Sequence, residues 1–469
     1  MSYDLNSYFQ LGLDSTAQEQ NELVMNTVRT PVDTQSPRNG LSRVTFKVPK
    51  VGMLTGDSMV KFGVVKNTAT TSNCTPNFIT GVAGAIERLK ITIDNKVLTD
   101  IERPSLLNIP DEYSKNTQNE NAQFKYKFTG QQFQTNTDQD TGAERFDTLK
   151  TRYFSDQDEN NDVQNVVRNR VDDQADSHVY GIHLRDLGAQ YLDTSALPVF
   201  LLGAREMIIE ITFYKDCREY LVATSGTLGA GDYQIDYPLV ELVTTHVRLP
   251  DEVMQNEMAG MANKPIEYPL IDNYLVKATF STGAQNVETS ETFRINAQNR
   301  EVHRILMVNQ PISSDIDSSQ RVVANQKALA LGDVELQVKA NGLNYFERPI
   351  TNPSLLYQQL TYAQNGMALK LPYNSYHVDN RTDEMEQNDQ TLYENYRGTQ
   401  QYVALDFENG NPQVFGGGTI MKQALEVEYK ATPRVTANPD QVNKQHEVLF
   451  YVSVSKMLAI GARSIEVSF

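Results

Sequence analysis

The chain has 469 residues, too many for one ordinary core, and its 39% apolar and 22% charged composition is that of a globular protein of two to three domains, not a disordered one. A net charge of −17 repels phosphate backbones and argues against direct nucleic-acid binding, and 2 cysteines, Cys74 and Cys217, exclude a disulfide framework or a four-cysteine zinc site. No apolar run approaches the ~20 residues of a membrane-spanning helix, and "MSYDLNSYFQ" lacks the basic and apolar regions of a signal peptide, so a soluble, unprocessed, intracellular product is expected.

Residues 1–40 carry scattered large apolar side chains (Tyr3, Tyr8, Phe9, Leu11, Leu13, Leu23 and Val24) with no helical or strand period. Arg29 and Arg38 stand there against Asp4, Asp14, Glu19, Glu22 and Asp33, a balance of −3. This reads as an assembly arm outside either core, docking on a neighbouring protein and not on a genome.

Alternation starts at Val44, Phe46 and Val48, which are separated by Thr45 and Lys47. Strands with one face buried and one wet have this period and build antiparallel sheets. "GDSM" (56–59) resembles the nucleophile block of Gly-Asp-Ser hydrolases, but no histidine stands in a late Asp-x-x-His, so a turn entering a strand is expected. Strand alternation returns at Leu89, Ile91 and Ile93. After "IERP" (101–104), "PSLLNIPDEYSK" reads as a short helix begun by proline.

The stretch from about 113 to 178 is rich in Asn, Gln and Asp and reads as a long exposed insertion. Within it, Asp156, Asp158 and Asn160 begin like a calcium loop, but Asn161 and Val167 occupy the places that need Gly and Glu. A solvated acidic loop is the expectation. Strands follow at "VYGIHL" (179–184) and "IEITF" (209–213), closing a first domain at 41–222.

The Gly-rich "ATSGTLGAGDY" reads as a linker, placed within 223–250, because "GTLGAG" lacks the spacing of a dinucleotide loop. The second domain, 251–469, repeats the sequence of elements. Strand 334–338 leads to "FERPITNPSLLYQQL" with its helix, then to "YVALDF" (402–407) and "LEVEY" (425–429), and the chain ends on the alternation of Val448, Phe450, Val452 and Val454. The 6 histidines form neither a HExxH nor a HxH pair, and no catalytic, cofactor or metal cluster emerges.

The two halves align. Leu89–Pro104 runs on Val334–Pro349 at a constant offset of 245, so that Glu102, Arg103 and Pro104 match Glu347, Arg348 and Pro349 as corners of a structural repeat. Ser-Leu-Leu follows in both, after four extra residues in the second copy. The two later blocks match at offsets of 223 and 216. From Leu107 to Val179 is 72 residues and from Leu356 to Tyr402 is 46, which gives the first copy 26 extra. A tandem duplication of one β-sandwich domain follows.

This order of blocks, from "ERLKITID" through "ALPVFLLGAREMIIEITF" to "EVLFYVSVSKMLAIGARSIEVSF", resembles the double jelly-roll major capsid proteins of the adenovirus-like lineage of double-stranded DNA viruses. The smaller members, in polinton-like viruses and virophages, are the most similar in look. The resemblance implies an all-β chain of two tandem eight-stranded antiparallel jelly rolls, with short inserted helices and long polar loops. It also implies a homotrimeric, pseudo-hexameric capsomer in an icosahedral virion. The partners would be neighbouring capsomers and penton, minor capsid or cement proteins; no cofactor is needed and an internal membrane is left open. Two other readings remain beside it: a tandem β-sandwich that binds carbohydrate, its 23 tyrosines standing in for the absent tryptophan, and a two-jelly-roll hydrolase with paired acids in one cleft.

Overall fold

The computed structural model describes most of residues 23–107, 179–312, 331–363 and 402–468. The residues at 1–22, including Tyr3, Tyr8, Phe9, Leu11 and Leu13, lie outside the described residues, as does nearly all of the 113–178 insertion with its calcium-like loop.

Eight strands frame the first sandwich: β1 (Leu23–Arg29), β2 (Arg43–Lys47), β3 (Met59–Lys66), β4 (Ile86–Ile93), β5 (Lys96–Glu102), β6 (Val179–His183), β7 (Met207–Phe213) and β8 (Tyr233–Arg248). Eight more make the second: β9 (Ile266–Ser281), β10 (Thr289–Ile295), β11 (Glu301–Pro311), β12 (Asp333–Ala340), β13 (Leu343–Asn344), β14 (Tyr402–Asp406), β15 (Leu425–Thr432) and β16 (Gln445–Ile460). The first sandwich pairs its strands in the orders β1-β8-β3-β6 and β2-β7-β4-β5; the second uses β9-β16-β11-β14 and β10-β15-β12-β13. Adding eight to each label turns one sandwich into the other. Every pair in these orders is antiparallel, short strands at Asp33–Gln35, Met53–Leu54, Thr419–Ile420 and Ile465–Ser468 extend three of the four sheets, and two facing sheets with four strands in this order are a jelly roll. The fold is therefore a double jelly roll.

The alternation places the cores. In β15 the pattern is strictly buried then half-buried, with Leu425, Val427, Tyr429 and Ala431 inward and Glu426, Glu428 and Lys430 outward. Aromatic edges join the layers: Phe62 meets Phe213 at 5.2 Å in the first core, and Phe280 meets Tyr429 at 5.2 Å in the second. The turn at Gly56 and Asp57 does enter a strand, as expected from the sequence, and the Ser58 hydroxyl is buried, accepting from the Thr245 N–H at 3.0 Å.

Two boundaries differ from the sequence reading. The arm does not extend to residue 40: β1 pairs with β8 from Leu23↔Arg248 to Arg29↔Leu242, and Asp33–Gln35 pairs with β2. Residues 23–35 thus belong to the first sandwich. Nor is 223–250 a linker. Leu221–Ser225 pairs with Asn73–Pro76, and β8 is a central strand of the first sandwich. A bulge between Asp236 and Glu241 moves the inward set from Tyr233 and Ile235 to Val240, Leu242 and Thr244, which breaks the period that would have revealed the strand. The connection between the sandwiches is the helix α1 (Asp251–Gly260), N-capped after Pro250, and its flanks. Among the described residues no helix is long and apolar enough to cross a membrane.

Candidate functional site: the interface between the two sandwiches

The duplicated Glu-Arg-Pro corners do not occupy matching places. Asp94 and Asn95 turn the first hairpin with positive φ, and Asn341 and Gly342 turn the second. Counting back five residues from each turn gives Leu89 and Leu336. Leu89 faces Ile101, whereas Leu336 faces Ile350. Ile101 therefore corresponds to Ile350, Pro104 to Pro353, and Arg103 to Asn352. Helical structure begins at Pro104 in one copy and at Pro353, the start of α2 (Pro353–Ala363), in the other. The second hairpin carries two extra residues, between Leu343 and Ile350, since Leu336 to Ile350 is 14 residues where Leu89 to Ile101 is 12. They shorten β13 to two residues and bend 345–349 out of the sheet, so Glu347, Arg348 and Pro349 are exposed while Arg103 is half-buried and Pro104 buried. The 209–213 and 425–429 blocks also slip: Ile91 faces Ile209, but Leu336, its partner by sequence, faces Tyr429 and not Leu425. The slip is an even number of residues, so every side chain keeps its face.

The first corner is where the two sandwiches meet. Arg103, at a left-handed φ of 49°, reaches across to Gln310 Oε1 and Glu447 Oε2, both at 2.5 Å. Burial opposes its charge, but Tyr214, Glu447 and Tyr451 outweigh this and raise the guanidinium pKa further. The Tyr451 hydroxyl donates to the Arg103 carbonyl at 2.9 Å, and burial raises that phenol well above its ordinary value. Lys277 bonds Glu102, and the Tyr268 hydroxyl donates to the Ala196 carbonyl. Arg304 donates to Gln190 Oε1 at 2.7 Å.

Deeper in the same interface lies a buried ion pair. Lys456 Nζ stands 2.5 Å from Asp272 Oδ2, with side-chain exposures of 7% and 1%. A second ammonium proton goes to the Leu98 carbonyl at 2.9 Å. The other carboxylate oxygen, Oδ1, accepts from the Thr99 hydroxyl at 2.9 Å, and Tyr191 Oη lies 3.0 Å from the same hydroxyl. A carboxylate only accepts, so Thr99 spends its one proton on Asp272 and Tyr191 donates in turn. Burial raises the Asp272 carboxyl against the pull of Lys456 and Thr99, and raises the Tyr191 phenol strongly. Lys456 and Asp272 belong to the second sandwich, Leu98, Thr99 and Tyr191 to the first, so the chain spends a satisfied polar network on locking its halves together.

Sequence reasoning reached Arg103 through a repeat that does not place it, and missed Thr99, Tyr191, Asp272, Gln310, Glu447 and Lys456. Only β16 carried a signal. Its seven central residues, Val448 to Val454, are all buried, as befits a strand covered on both faces, although it lies in an antiparallel sheet. His303 is a satisfied histidine, with Nδ1 3.3 Å from Glu408 Oε1 and Nε2 2.7 Å from Ser455 Oγ. Burial pushes the Cys217 thiol up to about 11, which makes it an inert thiol. Among the described residues no group of three or more His, Cys, Asp and Glu side chains is arranged to hold a metal ion.

Solved structures share this fold over nearly the whole chain. A chain of the Sputnik virophage structure is similar at a TM-score of 0.57 and 11% identity, over 96% of this chain and 89% of that one. VP54 of PBCV-1, fitted into a reconstruction of Sputnik, matches at 0.56 and 10%, over 96% and 97%. The major capsid protein of mavirus matches at 0.50 and 11%, over 95% and 90%. At these identities the likeness is one of fold. No protein-family model matches the chain, and no curated protein matches it.

Proposed function

We propose that the protein is the major capsid protein of an icosahedral double-stranded DNA virus, located in the virion, with three chains forming one pseudo-hexameric capsomer. The observation that carries this reading is the duplication itself. Two sandwiches of identical strand order are locked by the Lys456–Asp272 network and the Arg103 clamp, and the fold of the pair is similar to that of the PBCV-1 virus capsid and of the mavirus major capsid protein. A locked pair offers two nearly equivalent sides; three pairs in a ring offer six, the number that tiles a hexagonal lattice. The role is structural and not enzymatic. Neighbouring capsomers and penton, minor capsid or cement proteins are the partners, and the net charge of −17 speaks against a direct grip on the genome. The 113–178 insertion belongs on the outer surface of the capsomer, and residues 1–22 are an assembly arm.

The test is the mass of the purified chain by light scattering, with negative-stain images of the particles. Trimers of hexagonal outline are the expected result. A monomer at every concentration, or a two-fold dimer, overturns the capsomer reading.

A further inference from the structure

Lys456 and Asp272 stand on the last and first strands of the second sandwich, β16 and β9. In the ladder between them Leu270 faces Lys456 and Val454 faces Asp272, so the two charged side chains are diagonal neighbours on one face of adjacent strands. Leu270, Val454 and Leu98 of the first sandwich are all buried. A site this dry favours an ion pair less than water does, and brings the pair of neutral amine and neutral carboxylic acid within reach. Burial raises the Asp272 carboxyl in the same sense. An amine with a free lone pair can attack a carboxyl carbon, and this carboxyl is held for it. Oδ2 lies 2.5 Å from Nζ. Oδ1 accepts from the Thr99 hydroxyl at 2.9 Å, and Tyr191 Oη stands behind Thr99 at 3.0 Å. That chain of donors polarises the Cγ–Oδ1 bond and stabilises the negative charge that develops on Oδ1 in a tetrahedral intermediate. The Leu98 carbonyl accepts one Nζ proton at 2.9 Å and so fixes the direction of the nitrogen.

We propose that Lys456 and Asp272 join in an intramolecular isopeptide bond, in a cradle that the first sandwich supplies. The freshly folded chain holds the ion pair. Nζ then gives two protons to Oδ2 and its lone pair to Cγ; the Cγ–Oδ2 bond breaks and one water leaves. The remaining proton stays as the amide N–H, still donating to the Leu98 carbonyl. Atoms and charge balance: an ammonium and a carboxylate become a neutral amide and water, with no co-reactant. Leu98, Thr99 and Tyr191 all belong to the first sandwich, so the bond forms only once the two sandwiches are docked. It links positions 184 residues apart, and makes the second jelly roll a closed loop that cannot be drawn open from either end of the chain. For a shell protein this is a maturation step that seals the fold after it has formed. The bond itself stands whether or not the chain builds a capsomer.

The experiment is intact-mass spectrometry of the full chain, freshly purified and after weeks of storage at neutral pH, with peptide mapping of both. The stored chain is expected to weigh one water less, and a branched peptide joining Asp272 to Lys456 is expected to account for the loss. Boiled in detergent, the looped chain is expected to run ahead of Lys456→Arg, whose guanidinium forms no amide and which keeps its full mass. Thr99→Val removes the donor to Oδ1 and leaves Lys456 and Asp272 in place. It is expected to slow the loss of water on the order of 10²-fold. Mapping of the unsubstituted chain decides the matter even if neither variant folds. A folded chain that keeps its full mass throughout storage overturns the proposal. So does a water lost elsewhere, with Asp272 and Lys456 recovered on separate peptides. Water lost as fast from Thr99→Val as from wild type overturns the donor chain as the cause.

Discussion

Lys456 is costly to place. Its ammonium leaves water for a site that is 7% exposed, and it is tolerated because Asp272 and the Leu98 carbonyl take its protons. Lys456→Met leaves Asp272 buried without its partner and is expected to cost about 3–5 kcal/mol in urea denaturation. Adding Asp272→Leu removes the orphaned charge, so the double variant is expected to recover much of that loss; a double variant as unstable as the sum of its parts would deny that the two act as a pair. His246 gives a pH-dependent counterpart. It is fully buried on β8, opposite Met25 of β1, and burial with the nearby Arg29 charge lowers its pKa to about 4. The folded pKa lies below the ordinary 6.5, so the unfolded chain binds the proton more readily. Stability from this residue is therefore whole above pH ~6.5 and falls as the pH drops toward ~4, by about 2–3 kcal/mol. His246→Leu is expected to flatten that part of the stability–pH curve relative to wild type.

At the scale of elements, what the sequence made legible was what local period carries. Val44 and Phe46, or Leu425, Val427 and Tyr429, alternate without interruption, and the structure has strands there with those residues inward. β8 escaped notice because its bulge changes the inward parity and Pro238 stands in it. β1 escaped because its pairing partner is more than two hundred residues away in sequence. The lock between the sandwiches had no local mark at all: Thr99, Asp272 and Lys456 are ordinary polar residues until the fold brings them within hydrogen-bond reach. The β1 pairing has a direct consequence for truncation. Deleting residues 1–22 leaves all seven β1–β8 residue pairs in place and is expected to yield a soluble chain with a wild-type melting temperature. Deleting 1–35 removes β1 and uncovers one edge of β8, and is expected to lower the melting temperature by several degrees or prevent folding. If both truncated chains melt like wild type, β1 is not part of the first sandwich. If the shorter deletion folds and forms trimers but assembles no shells, the arm acts between capsomers.

At the scale of the whole molecule, the sandwiches are unequal partners. The second presents a sheet whose central strand is buried on both faces only because the first covers it, with Arg103 set between Gln310 and Glu447 at the rim. Expressed alone, residues 264–469 would expose Leu449 and Tyr451, and low solubility is expected; residues 1–250 lose only an edge contact and should stay soluble. Co-expression of the two pieces is expected to restore a soluble complex, because every inter-sandwich bond described above is non-covalent. The Arg103–Glu447 pair allows the geometry to be tested by charge exchange. Arg103→Glu in the first piece or Glu447→Arg in the second sets like charges against each other where the ion pair stands at 2.5 Å, and each is expected to weaken association by about 2–4 kcal/mol, read by pull-down or calorimetry. Combining the two reversals restores opposite charges at the same site and is expected to regain part of the affinity, the remainder being lost because Gln310 and the Tyr451 hydroxyl are arranged around a guanidinium on the first sandwich. Should the double reversal bind no better than the worse single one, Arg103 and Glu447 are not facing each other across the interface. The two jelly rolls would then have to be joined in some other way.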